Sequence, residues 1–143
     1  MVDWGSLFLR VSFCLTMMTG HGYGKLMQLF GEGPIQFADP FGLGPTVSLA
    51  LAVGGEFLCP LLVILGFKTR IVIIPSIITM LTAAFIAHAN APFFSGVVMN
   101  ALPEHPYLMT PSKELACLYL FGFIAIFFIG SARFSLDKIL AKN

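Results

Sequence analysis

The sequence predicts an all-α membrane protein: one domain over residues 1–143, built as a four-transmembrane-helix antiparallel bundle with both termini on the cytoplasmic side. Three observations predict it. The chain is 57% hydrophobic and 10% charged, with a mean hydropathy of +0.90, whereas a soluble domain spends about 25% of its residues on charge because its surface meets water. The apolar residues fall into four segments close to the roughly 20 residues that a hydrocarbon core about 30 Å thick requires. The Lys and Arg residues gather on one side of the resulting four-span path.

The first segment, about Gly5 to Phe30, is interrupted by Arg10, His21 and Lys25. The second, Thr46 to Phe67, contains a single charge, Glu56. The third runs from Ile71 to Ala89 and ends around His88, and the fourth runs from Lys113 to Ala132 with no charge after Glu114. Lys68-Thr69-Arg70 is so short a connection that segments two and three must be antiparallel neighbours. The other two connections have turn-forming composition: four glycines and three prolines in Gly31–Pro45, and four prolines in Ala91–Ser112. Thr110-Pro111 reads as a helix start, with Thr as N-cap and Pro at the first helical position. Ser135 to Ala141 reads as a short amphipathic segment on the inner membrane surface.

Placement of the cations sets orientation. Lys68, Arg70, Arg133, Lys138 and Lys142 lie on one side, with Arg10 near it, and only Lys25 and Lys113 fall toward the other. Positive residues stay in the cytoplasm, so the two Pro/Gly-rich loops face outward. The N-terminal Met1-Val2-Asp3-Trp4 lacks a basic leader region, and the first apolar run is expected to be a retained helix.

Several function classes are excluded at this stage. The formal net charge is +1 and no basic, aromatic-interleaved patch points to nucleic acid. Cys14, Cys59 and Cys117 are far apart and form no CxxC, so neither a zinc site nor a disulfide framework is expected. Two histidines on different helices, with no motif fixing their geometry, are only a weak signal for a metal or haem ligand at His88. Each cysteine lies one turn from a charged residue, but small apolar filling is the ordinary role of a membrane cysteine.

The candidate chemistry lies in the intramembrane ionisable groups. An ionised side chain at a helix centre costs about 2.5–3.5 kcal/mol on insertion scales, so such groups persist when paired, hydrated or functional. Given the orientation, His21, Lys25, Glu56, His88, Lys113 and Glu114 can converge on one outer cavity. Glu56, His88 and Lys25 are the candidate catalytic residues; His21, Glu114 and Lys113 are candidate ligand-binding residues. Arg10, Cys14, Met17, His21 and Lys25 follow i, i+4, i+7, i+11, i+15 and form one stripe expected to face the bundle. Gly20, Gly22 and Gly24 around His21 allow either close helix packing or local unwinding beside a ligand. Pro60, one turn after Glu56, deprives a carbonyl near residue 56 of its donor. The alternative for Glu56 is a structural ion pair with Lys25 or His21. For His88 it is a hydrogen bond to Glu56 or a loop, and for Lys113 interfacial solvation.

The segment His21-Gly22-Tyr23-Gly24-Lys25-Leu26 resembles the G-x-x-K-L end of helix one in the DoxX family. Glu56-Phe57-Leu58 followed by Leu65-Gly66-Phe67-Lys68-Thr69-Arg70 resembles its second signature, a glutamate and then L-G-x-x-T-R. Met80, Ala84-Phe85 and His88 resemble the third helix. Lys113-Glu114-Leu115-Ala116, Tyr119-Leu120, Gly130 and Arg133-Phe134-Ser135-Leu136-Asp137 resemble the fourth helix and tail. The resemblance covers nearly the whole chain in order. It implies a four-helix bacterial inner-membrane protein, similar to the DoxD-type subunit of thiosulfate:quinone oxidoreductases, in a family tied to thiol or sulfur redox chemistry. Carried over by position, Lys25, Glu56, His88 and Glu114 are the family-like polar residues.

The leading expectation is therefore a membrane subunit of a quinone-linked redox system, with a quinone or other lipophilic small molecule as ligand, entering between helices. His88 or Lys25 would donate to a carbonyl oxygen, and Glu56 would handle a proton. The alternative is a non-enzymatic chaperone, scaffold or cargo-binding accessory protein that meets another membrane or exported protein, or a second copy of itself, through the outer loops around Phe93, Phe94 and Tyr107. The third reading is small-solute or proton-coupled transport, which a chain of this size would carry out as a homo-oligomer.

Overall fold

A chain rich in apolar residues but poor in charge has to decide which of its few polar groups to hide, and here it hides them inside. The computed structural model describes residues 2–94, 97–102, 105–109 and 112–141. Ser6, Arg10, Ser48, Glu56, Thr69, Ser76 and Ser135 are buried, while Phe8, Leu15, Leu51, Ile71, Ile78, Phe121 and Phe128 are exposed. Large apolar patches on a water-facing surface are rare; hydrocarbon is the solvent in which this distribution is stable.

Four helical rods carry the fold. The first covers residues 2–30 as Val2–Met17, a π-helical turn Met18–Gly22, and Tyr23–Phe30. The second, Pro45–Leu65, contains a π-turn at Gly54–Leu58, and the third, Thr69–Ala87, ends in one at Ala83–Ala87. The fourth is Glu114–Ile129, followed by the short helix Leu136–Leu140. The second and third rods are long and apolar enough to cross a membrane; the fourth, at 16 residues, is shorter but equally apolar. Between the third and fourth rods lies an antiparallel hairpin, β1 (Val97–Leu102) with β2 (His105–Met109), in a connection whose prolines predicted only irregular loop. The expected helix start at Thr110-Pro111 falls outside the described residues; the helix itself begins at Glu114, with Lys113 before it.

The rods end earlier than hydropathy implies because backbone geometry stops them. Gly66 adopts φ 72°, a left-handed conformation that glycine takes without penalty. Phe67 N–H then donates to Leu62 O at 3.1 Å, closing the second rod two residues before the apolar run ends. Gly130 (φ 74°) closes the fourth rod likewise, ahead of the expected Ala132.

Burial on the third rod recurs at Thr69, Ile73, Ser76, Met80 and Ala84, one helical stripe. It packs on Val63 of the second rod, Cys14 and Met17 of the first, and Tyr119, Leu120, Phe123 and Ile126 of the fourth. Cys14 and Cys117 are thus packing groups, and all three cysteines are free thiols.

Arg10 fastens one end of the molecule, termed here the turn end. Fully buried, it donates to Val63 O at 3.2 Å, Ile64 O at 3.3 Å and Phe134 O at 2.5 Å. A cation on the last carbonyls of a helix is favoured by the helix dipole. Asp137 Oδ1 accepts the Lys68 N–H at 3.0 Å, and Ser6 Oγ donates to Gly130 O at 2.6 Å. The 31–44 connection and the described residues between the third and fourth rods (88–94, 97–102, 105–109 and 112–113) lie at the opposite, loop end.

Candidate functional site

Glu56 lies within the π-turn of the second rod and is 2% exposed. A carboxylate buried so far among apolar helices needs a partner. Lys25 supplies it: its Nζ lies 2.5 Å from both carboxylate oxygens. The Lys25 side chain itself keeps 27% exposure, and its ammonium also stands 5.7 Å from the ring centroid of Phe37 in the 31–44 connection. The pair is therefore closed on the Glu56 side and open on the Lys25 side.

Backbone packing holds the two charges in register. The π-turns of the first and second rods touch each other. At Gly22 there is no room for a side chain: a Cβ there would overlap the Glu56 carbonyl group. Pro60 lacks the N–H that would reach that carbonyl in a helix, so the peptide at Glu56 is free to face the first rod. On its other side, Gly55 O accepts from Ser76 Oγ at 2.6 Å, and a Cβ on Gly55 would collide with Thr79. Gly22 and Gly55 carry no side chain where rods one and three press on the turn that holds Glu56.

Above the ion pair opens a pocket of about 550 Å³ between the second and third rods, roofed by the 31–44 connection. Leu51, Ala52, Pro75, Ile78 and Ala83 form its walls, and Phe37, Pro40 and Phe41 its roof. Its polar groups are few: Lys25 and Glu56 at one point, Thr79 and Thr82 along the third rod, Ser48, and His88 at the rim. Asp39 clamps the roof. Its carboxylate accepts from Leu43 N–H at 2.9 Å, Gly44 N–H at 2.8 Å and Ser48 Oγ at 2.8 Å. These bonds, the one from Ser48 foremost, hold the Asp39 carboxyl below the usual carboxylate range. Gln28 Nε2 adds a bond to Gln36 O at 3.1 Å.

Of the six residues singled out from sequence, Lys25, Glu56 and His88 meet at this pocket; His21, Lys113 and Glu114 do not line it. His21 stacks edge-on with Tyr119 of the fourth rod, ring centroids 5.7 Å apart. The π-turn explains the divergence. It adds a residue to the first rod, so Lys25 returns to the face of buried Met17 after two turns while His21 is turned toward the fourth rod. Lys113 and Glu114 open the fourth rod at the loop end, where Lys113 N–H donates to Pro92 O at 3.0 Å. Sequence reading missed Phe37, Thr79 and the three π-turns. Paired small residues, Gly20 and Gly22, Gly54-Gly55 and Ala83-Ala84, were the available signal for the turns.

The DoxX family model matches residues 5–89, which is 85 of the chain's 143 residues and takes in the first three rods. The chain belongs to the DoxX family. As a DoxX-type membrane protein it carries Lys25, Glu56 and His88 inside the matched span, whereas Lys113, Glu114 and the fourth rod lie beyond it. No curated protein and no solved structure matches the chain significantly. Among the described residues no group of three or more His, Cys, Asp or Glu side chains is arranged to hold a metal ion.

Proposed function

We propose that this DoxX-type protein is a four-span protein of the bacterial inner membrane, both termini cytoplasmic, and that it binds a lipophilic carbonyl compound, a quinone, in the pocket over Lys25 and Glu56. The reading makes it the membrane subunit of a quinone-linked redox system. The observation that carries it is the placement of one ion pair, closed at Glu56 and open at Lys25, on an otherwise apolar cavity. Ligand sites are typically cavities of about 300–1,000 Å³, mostly apolar, with a few convergent polar groups. The dimensions suit a substituted ring with its tail leaving between the second and third rods toward lipid.

A quinone, when bound, supplies the capacity to take up two electrons and two protons. The chain's own residues bind and orient it. Lys25 offers the donor for a ring carbonyl oxygen, Glu56 fixes the ammonium and holds a proton-accepting carboxylate beside it, and His88 stands at the rim facing the outer connections. Phe37 and Phe41 close the site from above and restrict water. Orientation rests on the cluster of Lys68, Arg70, Arg133 and Lys138 at the turn end.

Titration of the protein in nanodiscs with a short-chain ubiquinone tests this. Saturable binding weakened at least tenfold by Glu56→Gln and by Lys25→Met is expected, and unchanged affinity in both variants removes the quinone reading. The accessory-protein reading draws on the exposed Phe93–Phe94 pair, centroids 4.9 Å apart, beside the hairpin. Loss of a co-purifying partner on changing those two residues, with Glu56→Gln silent, would favour it instead.

A further inference from the structure

At the turn end, far from the pocket, the start of the third rod, the exit of the fourth and the terminal helix enclose an open cleft of about 620 Å³. Lys68, Arg70 and Lys138 line it together with one carboxylate, Asp137. Three cations against one anion leave two positive charges uncompensated. Asp137 is already engaged with the Lys68 N–H, and Arg70 Nη2 is steadied by Phe128 O at 3.2 Å. The ammonium groups of Lys68 and Lys138 make no ion pair among the described residues.

Three further features single the cleft out. Lys68 (φ 41°) and Ala132 (φ 50°) are the only non-glycine residues with positive φ among those described, and both line it. Such backbone is costly and is retained where the surrounding structure uses it. Thr69, first residue of the third rod, lines the cleft, is 2% exposed, and its hydroxyl has no hydrogen-bond partner among the described residues. Finally, Ile71 and Ile129 line the same cleft and are 66% and 40% exposed, an apolar edge adjoining the basic one.

We infer that this cleft binds the phosphodiester headgroup of an anionic phospholipid in the adjacent leaflet. Lys68, Lys138 and Arg70 receive the phosphate, and Ile71 and Ile129 receive the first methylenes of the acyl chains. A water-soluble phosphate ester would meet the same cations but would leave the isoleucines without a partner, which is why the lipid is the assigned source. The inference is independent of the ligand proposed for the other end.

Native mass spectrometry of the purified protein, titrated separately with phosphatidylglycerol and phosphatidylcholine, tests it. Preferential retention of phosphatidylglycerol is expected. A lysine near an anionic surface contributes about a fivefold affinity gain, so Lys68→Gln with Lys138→Gln should weaken phosphatidylglycerol about 25-fold and leave phosphatidylcholine unchanged. Equal retention of the two lipids by the wild type, or an unaltered preference in the double variant, overturns the site. If the double variant does not fold, Lys138→Gln alone decides: a loss of about fivefold supports the site and no loss overturns it. Glycerophosphate is the competing arm. Displacement of the lipid by an equal concentration of glycerophosphate assigns the cleft to soluble phosphate and overturns the lipid; a requirement for a hundredfold excess supports it.

Discussion

Gly22 and Glu56 meet backbone to backbone. A Cβ added at Gly22 would overlap the Glu56 carbonyl group, with the carbonyl carbon at 2.9 Å and Phe57 Cβ at 3.0 Å. The contact joins two π-turns, and it sets the height at which Lys25, three residues further along the first rod, reaches the carboxylate. The charged pair is therefore held by a close approach of main chains rather than by the reach of two flexible side chains.

Gly22→Ala follows directly. Backbone cannot yield as a side-chain tip can, so the rods must separate or slide, and overpacking of this kind costs about 1–3 kcal/mol. A lowered unfolding midpoint in detergent is expected together with weaker quinone binding. Gly24→Ala, where a Cβ meets nothing within 4 Å, should leave binding unchanged and should not lower the midpoint, since alanine favours a helix over glycine.

Removing one member of the ion pair is predicted to cost more than removing both. Lys25→Met leaves a buried carboxylate unpaired, at about 3 kcal/mol, the low end for a broken buried pair because Lys25 is partly exposed. Lys25→Met with Glu56→Gln should recover most of that loss. Unfolding of the two single variants and the double gives the coupling directly; strict additivity would mean the two side chains do not interact.

Arg10→Lys tests the turn end. Lysine keeps the charge but not the planar fork, and it cannot reach Val63, Ile64 and Phe134 carbonyls at once. Losses of about 2–3 kcal/mol are expected, with faster proteolysis after residue 130, since the Phe134 contact ties down the tail. Quinone affinity should stay within twofold, because nothing at this end lines the pocket.

Asp39 gives the roof a pH dependence. Its carboxyl is lower in the folded protein than the ordinary value of about 3.9. A depressed pKa contributes stability that is complete above the unfolded value and is lost as pH falls through the folded one. The amides of the 31–44 connection should therefore show high protection, relative to the exchange of an unstructured chain at the same pH, at neutral pH, and that protection should fall below about pH 4. Asp39→Ala should show the low protection already at pH 7.

Much of this was legible in the chain. Lys25, Glu56 and His88 stand out because ionisable groups are rare among apolar helices, and they do share one pocket. The polar stripe on the first rod also formed where Arg10, Cys14 and Met17 are buried. It broke at His21, because i+4 counting assumes a uniform helix and the π-turn at Met18–Gly22 inserts a residue. The rod ends at Gly66 and Gly130 were missed for a related reason: hydropathy continues past the point where a left-handed glycine has already turned the chain. Phe37 gave no signal, since its position over Lys25 depends on how Asp39 folds the roof, a three-dimensional fact. The pairing of Val97–Leu102 with His105–Met109 was hidden by the prolines of that connection.

Photoaffinity labelling with an azido-quinone in nanodiscs tests the central claim most directly. The account predicts adducts on Leu51 and Ile78 and on the roof at Phe37 and Phe41, lost in Glu56→Gln at the same lipid composition. Labels spread evenly over the lipid-facing residues, among them Phe8, Phe121 and Phe128, with the same pattern in the variant, would contradict it.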